Sequence, residues 1–172
     1  MYGWPVKSWE DVLNIRNGKS HKKVNDPYGM YPIYGSGGKM GMAKEYLSPE
    51  NTIILGRKGT IDKPFISLEK CWIVDTSFGL EVNSGIMNYR FFYEWCKSFD
   101  FQSLNRAAVL PSLTKGDLLK IEIICPPLCK QEKFVEFIEQ SDKSKLFMQN
   151  MIEKIIDRRL LICLMKTTLQ SR

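Results

Sequence analysis

Histidine is almost missing. The one present, His21, lies in a polar stretch. That argues against a metal site built on several imidazoles and makes a Ser-His-Asp triad a strained proposal. We read His21 as a surface residue. The cysteines are odd in number and scattered: Cys71, Cys96, Cys125, Cys129 and Cys163. Cys125 and Cys129 stand one residue too far apart for a CxxC spacing, with Pro126 and Pro127 inside the interval. Neither a zinc knuckle nor a redox motif is supported. Long apolar runs are absent too. Leu160 to Met165 is the longest, far short of the roughly 20 residues that span a bilayer. Met1 to Lys7 is short and mixed, with no apolar stretch of a secretory signal behind it. These absences predict a soluble, cytoplasmic protein with no membrane contact.

Phosphate-binding loops are also lacking. Gly35-Ser36-Gly37-Gly38-Lys39-Met40-Gly41 is rich in glycine. A P-loop ending at Gly38-Lys39 would need its first glycine where Ile33 stands, and Met40 replaces the magnesium-binding hydroxyl. A dinucleotide fingerprint beginning at Gly35 and Gly37 fails at Met40. What remains is a turn exposing Ser36, Lys39 and the backbone N–H groups of Gly37 and Gly38, suited to phosphate or base-edge contacts.

What is present begins with size and charge. The 172 residues allow one domain with a core and an appendage. Basic residues number 25 against 19 acidic, a formal net charge of +6. That suits a polyanionic partner, although many basic proteins have none. The most informative stretch is Ile53-Ile54-Leu55-Gly56-Arg57-Lys58-Gly59-Thr60-Ile61. A short β-branched run reads as a buried strand. It breaks at Gly56 into a tight turn that pushes Arg57 and Lys58 outward. Such a turn grips an anion, or is simply solvated.

Around it the chain reads as α+β, a mixed small-sheet domain followed by a long helix. Trp4 to Ile15 predicts a short strand and then a helical turn ended by Gly18. Lys19 to Asn25, with Lys22 and Lys23, is a polar loop. Tyr31 to Tyr34 is extended. Pro64 to Ser67 and Cys71 to Val74 read as strands joined by the turn Leu68-Glu69-Lys70, and Phe78 to Val82 as another. Asn88 to Phe99 has Phe91, Phe92, Trp95 and Phe99 at helical spacing, an aromatic stripe we assign to the core. Ser103 to Thr114, with Asn105 and Arg106, crosses the surface as a loop. Lys115-Gly116-Asp117 turns into a strand over Leu118 to Cys125, with Ile121, Ile123 and Ile124 buried. Pro126-Pro127 stops it.

Lys130 to Met165 holds no glycine or proline. It is expected to be helical throughout, with room for a break at Ser141-Asp142, and to span roughly 50 Å. Met148, Met151, Ile152, Ile155, Ile156, Ile162 and Cys163 share one broad face, with Arg159 in the same stripe. One small domain covers only part of such a helix. The remainder either meets a partner helix in coiled-coil fashion or folds back on its own domain.

Five segments, in order, resemble the specificity subunit of type I restriction–modification systems: Trp9 to Gly18 in the form W-x-x-x-L-x-I-x-x-G; Tyr34 to Gly38; Ile54 to Ile61; Leu110-Pro111-Ser112-Leu113 before a strand; and Pro126-Pro127-Leu128-x-x-Gln131 opening the helix. The resemblance implies a target recognition domain over residues 1–127 and a spacer or dimerisation helix over 128–172. It implies reading of one half of a split double-stranded DNA site in the major groove, with no catalytic residue and no metal. S-adenosylmethionine would sit on a partner methyltransferase subunit that methylates adenine, and a restriction subunit could join. Family members usually carry two recognition domains. A chain with one is expected to be a half-subunit that restores the pair as a homodimer through Met148, Ile152, Ile155, Ile156, Arg159, Ile162 and Cys163, or else a truncated product or cassette. Candidate DNA contacts are Arg57 and Lys58 first, then Lys39 with Ser36, Gly37, Gly38 and Thr60, then Lys22, Lys23, Asn105, Arg106 and Lys115. The competing expectation is a non-catalytic interaction module, or silent remnant, that binds the methyltransferase through its helix without reading DNA.

Overall fold

The structure, a computed structural model, describes residues 3–105 and 109–170, with side chains described as far as Glu153. It divides into two units, Met1–Glu132 and Lys133–Arg172. The architecture is α+β: small sheets, and a long C-terminal helix.

The chain enters through β1 (Val6–Ser8) and a single helical turn, α1 (Trp9–Val12). Asp11 closes that turn by accepting the Ser8 N–H at 3.1 Å and its hydroxyl at 2.7 Å. These bonds hold the Asp11 carboxyl below its ordinary range. Then follow β2 (Leu13–Asn17), β3 (Tyr31–Gly35), β4 (Gly38–Ala43), β5 (Thr52–Gly56), β6 (Phe65–Ser67), β7 (Trp72–Ile73) and β8 (Ser77–Val82). Helix α2 (Tyr89–Ser98), a 3₁₀ turn (Phe101–Leu104), α3 (Lys115–Leu119) and β9 (Glu122–Ile124) complete the first unit. The sheets run β2-β8-β5-β6, antiparallel throughout, β4-β3-β7, with β3 and β7 parallel, and the pair β1-β9.

Strand β5 is buried along its whole length. Ile53 and Leu55 enter the main core with Trp9, Phe78 and Phe92, while Ile54 on the other face meets Cys71 and Ile73. Both faces are covered, so the run carries no polar alternation. The aromatic stripe of α2 is core, as expected. Asn88 caps the helix by accepting the N–H groups of Arg90 at 2.8 Å and Phe91 at 3.2 Å. Phe92 and Cys96 are fully buried, with the Phe92 ring 5.1 Å from that of Trp9. Burying a side chain of this size stabilises the fold by about 1.5–3 kcal/mol.

Several expectations are corrected. Leu13–Asn17 is not a continuation of the opening helical turn but strand β2, paired residue for residue with β8. The glycine-rich stretch is less of a loop than it reads, because Gly38–Ala43 is strand β4 and the turn is confined to the tip. Strands β6 and β7 are not partners across Leu68-Glu69-Lys70; β6 pairs with β5 and β7 with β3. The strand expected over Leu118 to Cys125 is shorter. Thr114 caps helix α3 by accepting the Asp117 N–H at 3.1 Å, which makes Leu118 helical. Ile121 and Ile123 are buried, but Ile124 is 56% exposed. Pro126-Pro127 ends β9 as predicted. Helix α4 starts at Leu128 and runs unbroken to Gln170, with no break at Ser141-Asp142.

Candidate nucleic-acid interface

The site begins where β5 ends. A side-chain carbon on Gly56 would lie 1.7 Å from the Thr60 carbonyl oxygen, so only glycine lets the chain fold back this tightly. Gly59, with φ of +83°, completes the reversal. Arg57 and Lys58 lie between them. Their N–H groups donate to one acceptor, the Thr76 carbonyl, at 2.8 and 3.2 Å. On the other side the turn is stitched to the segment before α3. Gly59 donates to the Pro111 carbonyl at 3.0 Å, Leu113 donates to the Arg57 carbonyl at 2.9 Å, and Lys58 faces Ser112 in an antiparallel bridge.

The side chains emerge from this frame differently. Lys58 is exposed, while Arg57 is half-buried with its guanidinium carbon 5.6 Å from the centre of the buried Phe78 ring. Packing on the ring restricts Arg57 before any ligand arrives, lowering the entropy lost per hydrogen bond formed. Ser36, at the tip of the β3–β4 hairpin, leans over the same turn. A side-chain carbon on Gly56 would meet the Ser36 Cβ at 3.1 Å, and one on Gly59 would sit 3.8 Å from its hydroxyl. Gly37 and Gly38 face open space, Gly38 at φ +116°, and Lys39 is exposed beside them. Asn105 accepts the Ser112 N–H at 3.1 Å, tying it to the same segment.

The structure thus brings Arg57, Lys58, Thr60, Ser36 and Asn105 together, with Gly37, Gly38 and Lys39 on the adjoining hairpin. It relates the others less directly. Lys22 and Lys23 are exposed in the turn that follows Lys19, whose N–H meets the Ile73 carbonyl at 2.8 Å. Lys115 extends its ammonium to the Ile15 carbonyl at 2.6 Å, a bond that serves the fold. Arg106 lies outside the described residues, as do the side chains of Ile155, Ile156, Arg159, Ile162 and Cys163. Met148 and Ile152 are 59% and 52% exposed on α4.

The arrangement presents a pre-set guanidinium and a free-standing ammonium beside backbone donors, which suits phosphate oxygens and the O6 and N7 of guanine. Other chemistry has less to work with. Among the described residues no group of three or more His, Cys, Asp and Glu could hold a metal ion. A cleft of about 340 Å³ bordered by Pro49–Thr52 and Tyr89 carries Glu50, Glu81 and Glu132, the wrong sign for an anion. No described helix is long and apolar enough to cross a membrane.

Residues 1–156 match the family described as the type I restriction modification DNA specificity domain. The chain belongs to this family. Solved structures share the specificity-domain fold. The S subunit of a type I restriction–modification system from M. genitalium superposes with a TM-score of 0.68 at 17% identity, over 82% of this chain and 39% of that one. The HsdS subunit from Thermoanaerobacter tengcongensis gives 0.67 at 16% identity, over 83% and 38%. A chain from a study of complex assembly and conformational transition in the type I R-M system gives 0.70 at 15% identity, over 84% and 39%. The match spans about 39% of the length of these solved chains. Among curated proteins none matches.

In this specificity domain some site residues leave no mark in the sequence. Thr76 acts through its carbonyl and Phe78 through its ring, and nothing in their neighbours announces that Arg57 will sit there. Val109 and Leu110, three and two residues before the Ser112 that bridges Lys58, are 97% and 55% exposed, as a surface loop predicts.

Proposed function

We propose that this chain is the DNA-reading part of a type I specificity subunit. Residues 1–127 read one half of a two-part duplex target, and residues 128–172 form the spacer that engages a partner. The observation that carries this reading is the convergence of Arg57, Lys58 and the Ser36 hairpin tip on a turn clamped from both sides. Its cations suit phosphate and guanine, and its rigidity suits a reader that must hold register. In this reading the chain performs no chemistry. It directs a methyltransferase subunit, which holds S-adenosylmethionine, and a restriction subunit where one is present.

Helix α4 supports a homodimer within the same reading. Phe134, Ile138, Met148 and Ile152 fall at the four-and-three steps of one coiled-coil register, with the polar Ser141 and Lys145 at the two steps between them. A symmetric pair would read a palindromic split site. Placing charge in the seam with Met148→Glu and Ile152→Glu is expected to leave a monomer in sedimentation, where the parent chain sediments as a dimer. A parent chain that is monomeric beside its methyltransferase removes the dimer. The competing account, an interaction module that uses α4 and never reads DNA, is separated by titrating duplexes against the chain with its methyltransferase. Reading predicts affinity that falls steeply with salt and keeps a preference for one sequence. Binding with no preference at any salt favours the module.

A further inference from the structure

An apolar pair stands bare beside the cationic turn. Val109 is 97% exposed and Leu110 is 55% exposed, while Leu113, in the same segment, is 3% exposed. The residues that follow are fixed. Pro111 accepts from Gly59 at 3.0 Å, Ser112 bridges Lys58, and Leu113 donates to Arg57 at 2.9 Å. Val109 stands two residues before Pro111, the first residue of this segment bonded to the turn of Arg57 and Lys58, and the core does not use it. A side chain this bare gains free energy only when something covers it. We propose that Val109, flanked by Leu110, reads the C5 methyl group of a thymine in the major groove. This inference rests on the DNA reading proposed above.

The chemistry narrows the choice. An anionic duplex drawn to Arg57 and Lys58 presents few apolar groups, and on its base edges in the major groove the thymine methyl is the one a side chain can meet. Valine suits the task. Its branched Cβ leaves little rotamer freedom to lose, so its methyls sit in one place relative to the backbone. It is also short. Wedges that part base steps from the minor groove are mostly longer or broader side chains, and Leu110, the longer of the pair, is the more covered one. Arg57 and Val109 then have complementary tasks. One offers donors to guanine or phosphate, and the other offers apolar surface to a neighbouring A·T pair.

The test uses the full chain with its methyltransferase subunit and duplexes carrying the target found by mapping methylated adenines. Each thymine in turn is replaced by deoxyuridine, which removes the methyl and keeps the pairing. One replacement is expected to weaken binding by roughly fourfold, the loss from one buried methyl-sized group. Val109→Ser, which puts a hydroxyl where the apolar contact would be, should bind the thymine and uracil duplexes equally at that position, with an unchanged melting temperature because the side chain is bare. A half-site with no thymine, or tolerance of every replacement, overturns the inference while leaving sequence-specific binding intact. So does a Val109→Ser chain that still discriminates, or one that loses affinity although no methyl matters, which is the mark of a wedge. Absence of any sequence preference in the parent chain overturns the DNA-reading account and this inference with it.

Discussion

The side chain of Gln131, in the first turn of α4, accepts the backbone N–H of Asn88 at 2.8 Å. Asn88 is the cap of α2. The same amide donates to the carbonyls of Ile86 at 3.0 Å and Pro126 at 2.7 Å, and Gln131 is fully buried. One side chain thus joins the opening of the long helix to the start of α2 and to the proline step after β9. Gln131→Ala leaves the Asn88 N–H and both carbonyls without this partner and is expected to cost at least about 1–3 kcal/mol. Gln131→Glu should also destabilise, because a carboxylate would face two carbonyl oxygens. Urea unfolding midpoints of the variants measure both. A midpoint unchanged in Gln131→Ala would mean the junction is held by apolar packing alone.

Gly56 predicts a backbone effect rather than a contact effect. With the Thr60 carbonyl 1.7 Å from the position of an added side-chain carbon, Gly56→Ala must open the turn that carries Arg57 and Lys58. The variant is expected to lose DNA affinity by more than Arg57→Ala does. Gly37→Ala, whose added carbon meets nothing, should retain it. Equal affinities for the Gly56 and Gly37 variants would contradict the tight turn.

Arg57 and Lys58 should differ in kind. If Arg57, set on Phe78, reads a base, Arg57→Ala weakens binding by about 1–3 kcal/mol and relaxes preference at one position. Lys58→Ala should weaken all sequences alike and flatten the salt dependence. Lys115→Ala is expected to act on stability instead, since its ammonium is bonded to the Ile15 carbonyl. Affinity against salt, on matched and mismatched duplexes, separates the three.

The cysteines give a probe of burial. Burial pushes the Cys71 thiol up to about 11 and the Cys96 thiol well above its ordinary value. Cys129 is exposed. A thiol reagent at mildly alkaline pH should label Cys129 in the native protein and reach Cys71 and Cys96 only on unfolding. The same shift fixes a sign. Unfolded Cys71 ionises near its ordinary 9.0 and the folded thiol only near 11, so the stability this site contributes is full below the first value. It is lost as pH rises through that interval, because the unfolded chain releases the proton first. Labelling of Cys71 without denaturant would contradict its burial.

How much of this was legible depends on where the deciding partner lies. Strand β5 was legible because Ile53, Ile54 and Leu55 need burial on both faces, which the apolar run states by itself. The α2 stripe and the stop at Pro126-Pro127 were equally local. Strand β2 was not, since Ile15 and its neighbours are too few to show a period and their partner, β8, lies far along the chain. The same holds for β6 and β7, adjacent in sequence yet pairing with β5 and β3. Arg57 and Lys58 stood out by their place between two glycines. Pro111 and Ser112 lie in a segment the resemblance picked out, but neither they nor Thr76 carry a side-chain signature of the backbone bonds that fix that turn.

The most direct test of the central claim is a map of methylated adenines in host DNA, with and without this gene and with the methyltransferase genes intact. The account predicts that a two-part motif disappears with the gene and returns when it is restored, and that the Arg57→Ala gene restores it weakly or with a relaxed half-site. A methylation map identical in the presence and absence of the gene would contradict it.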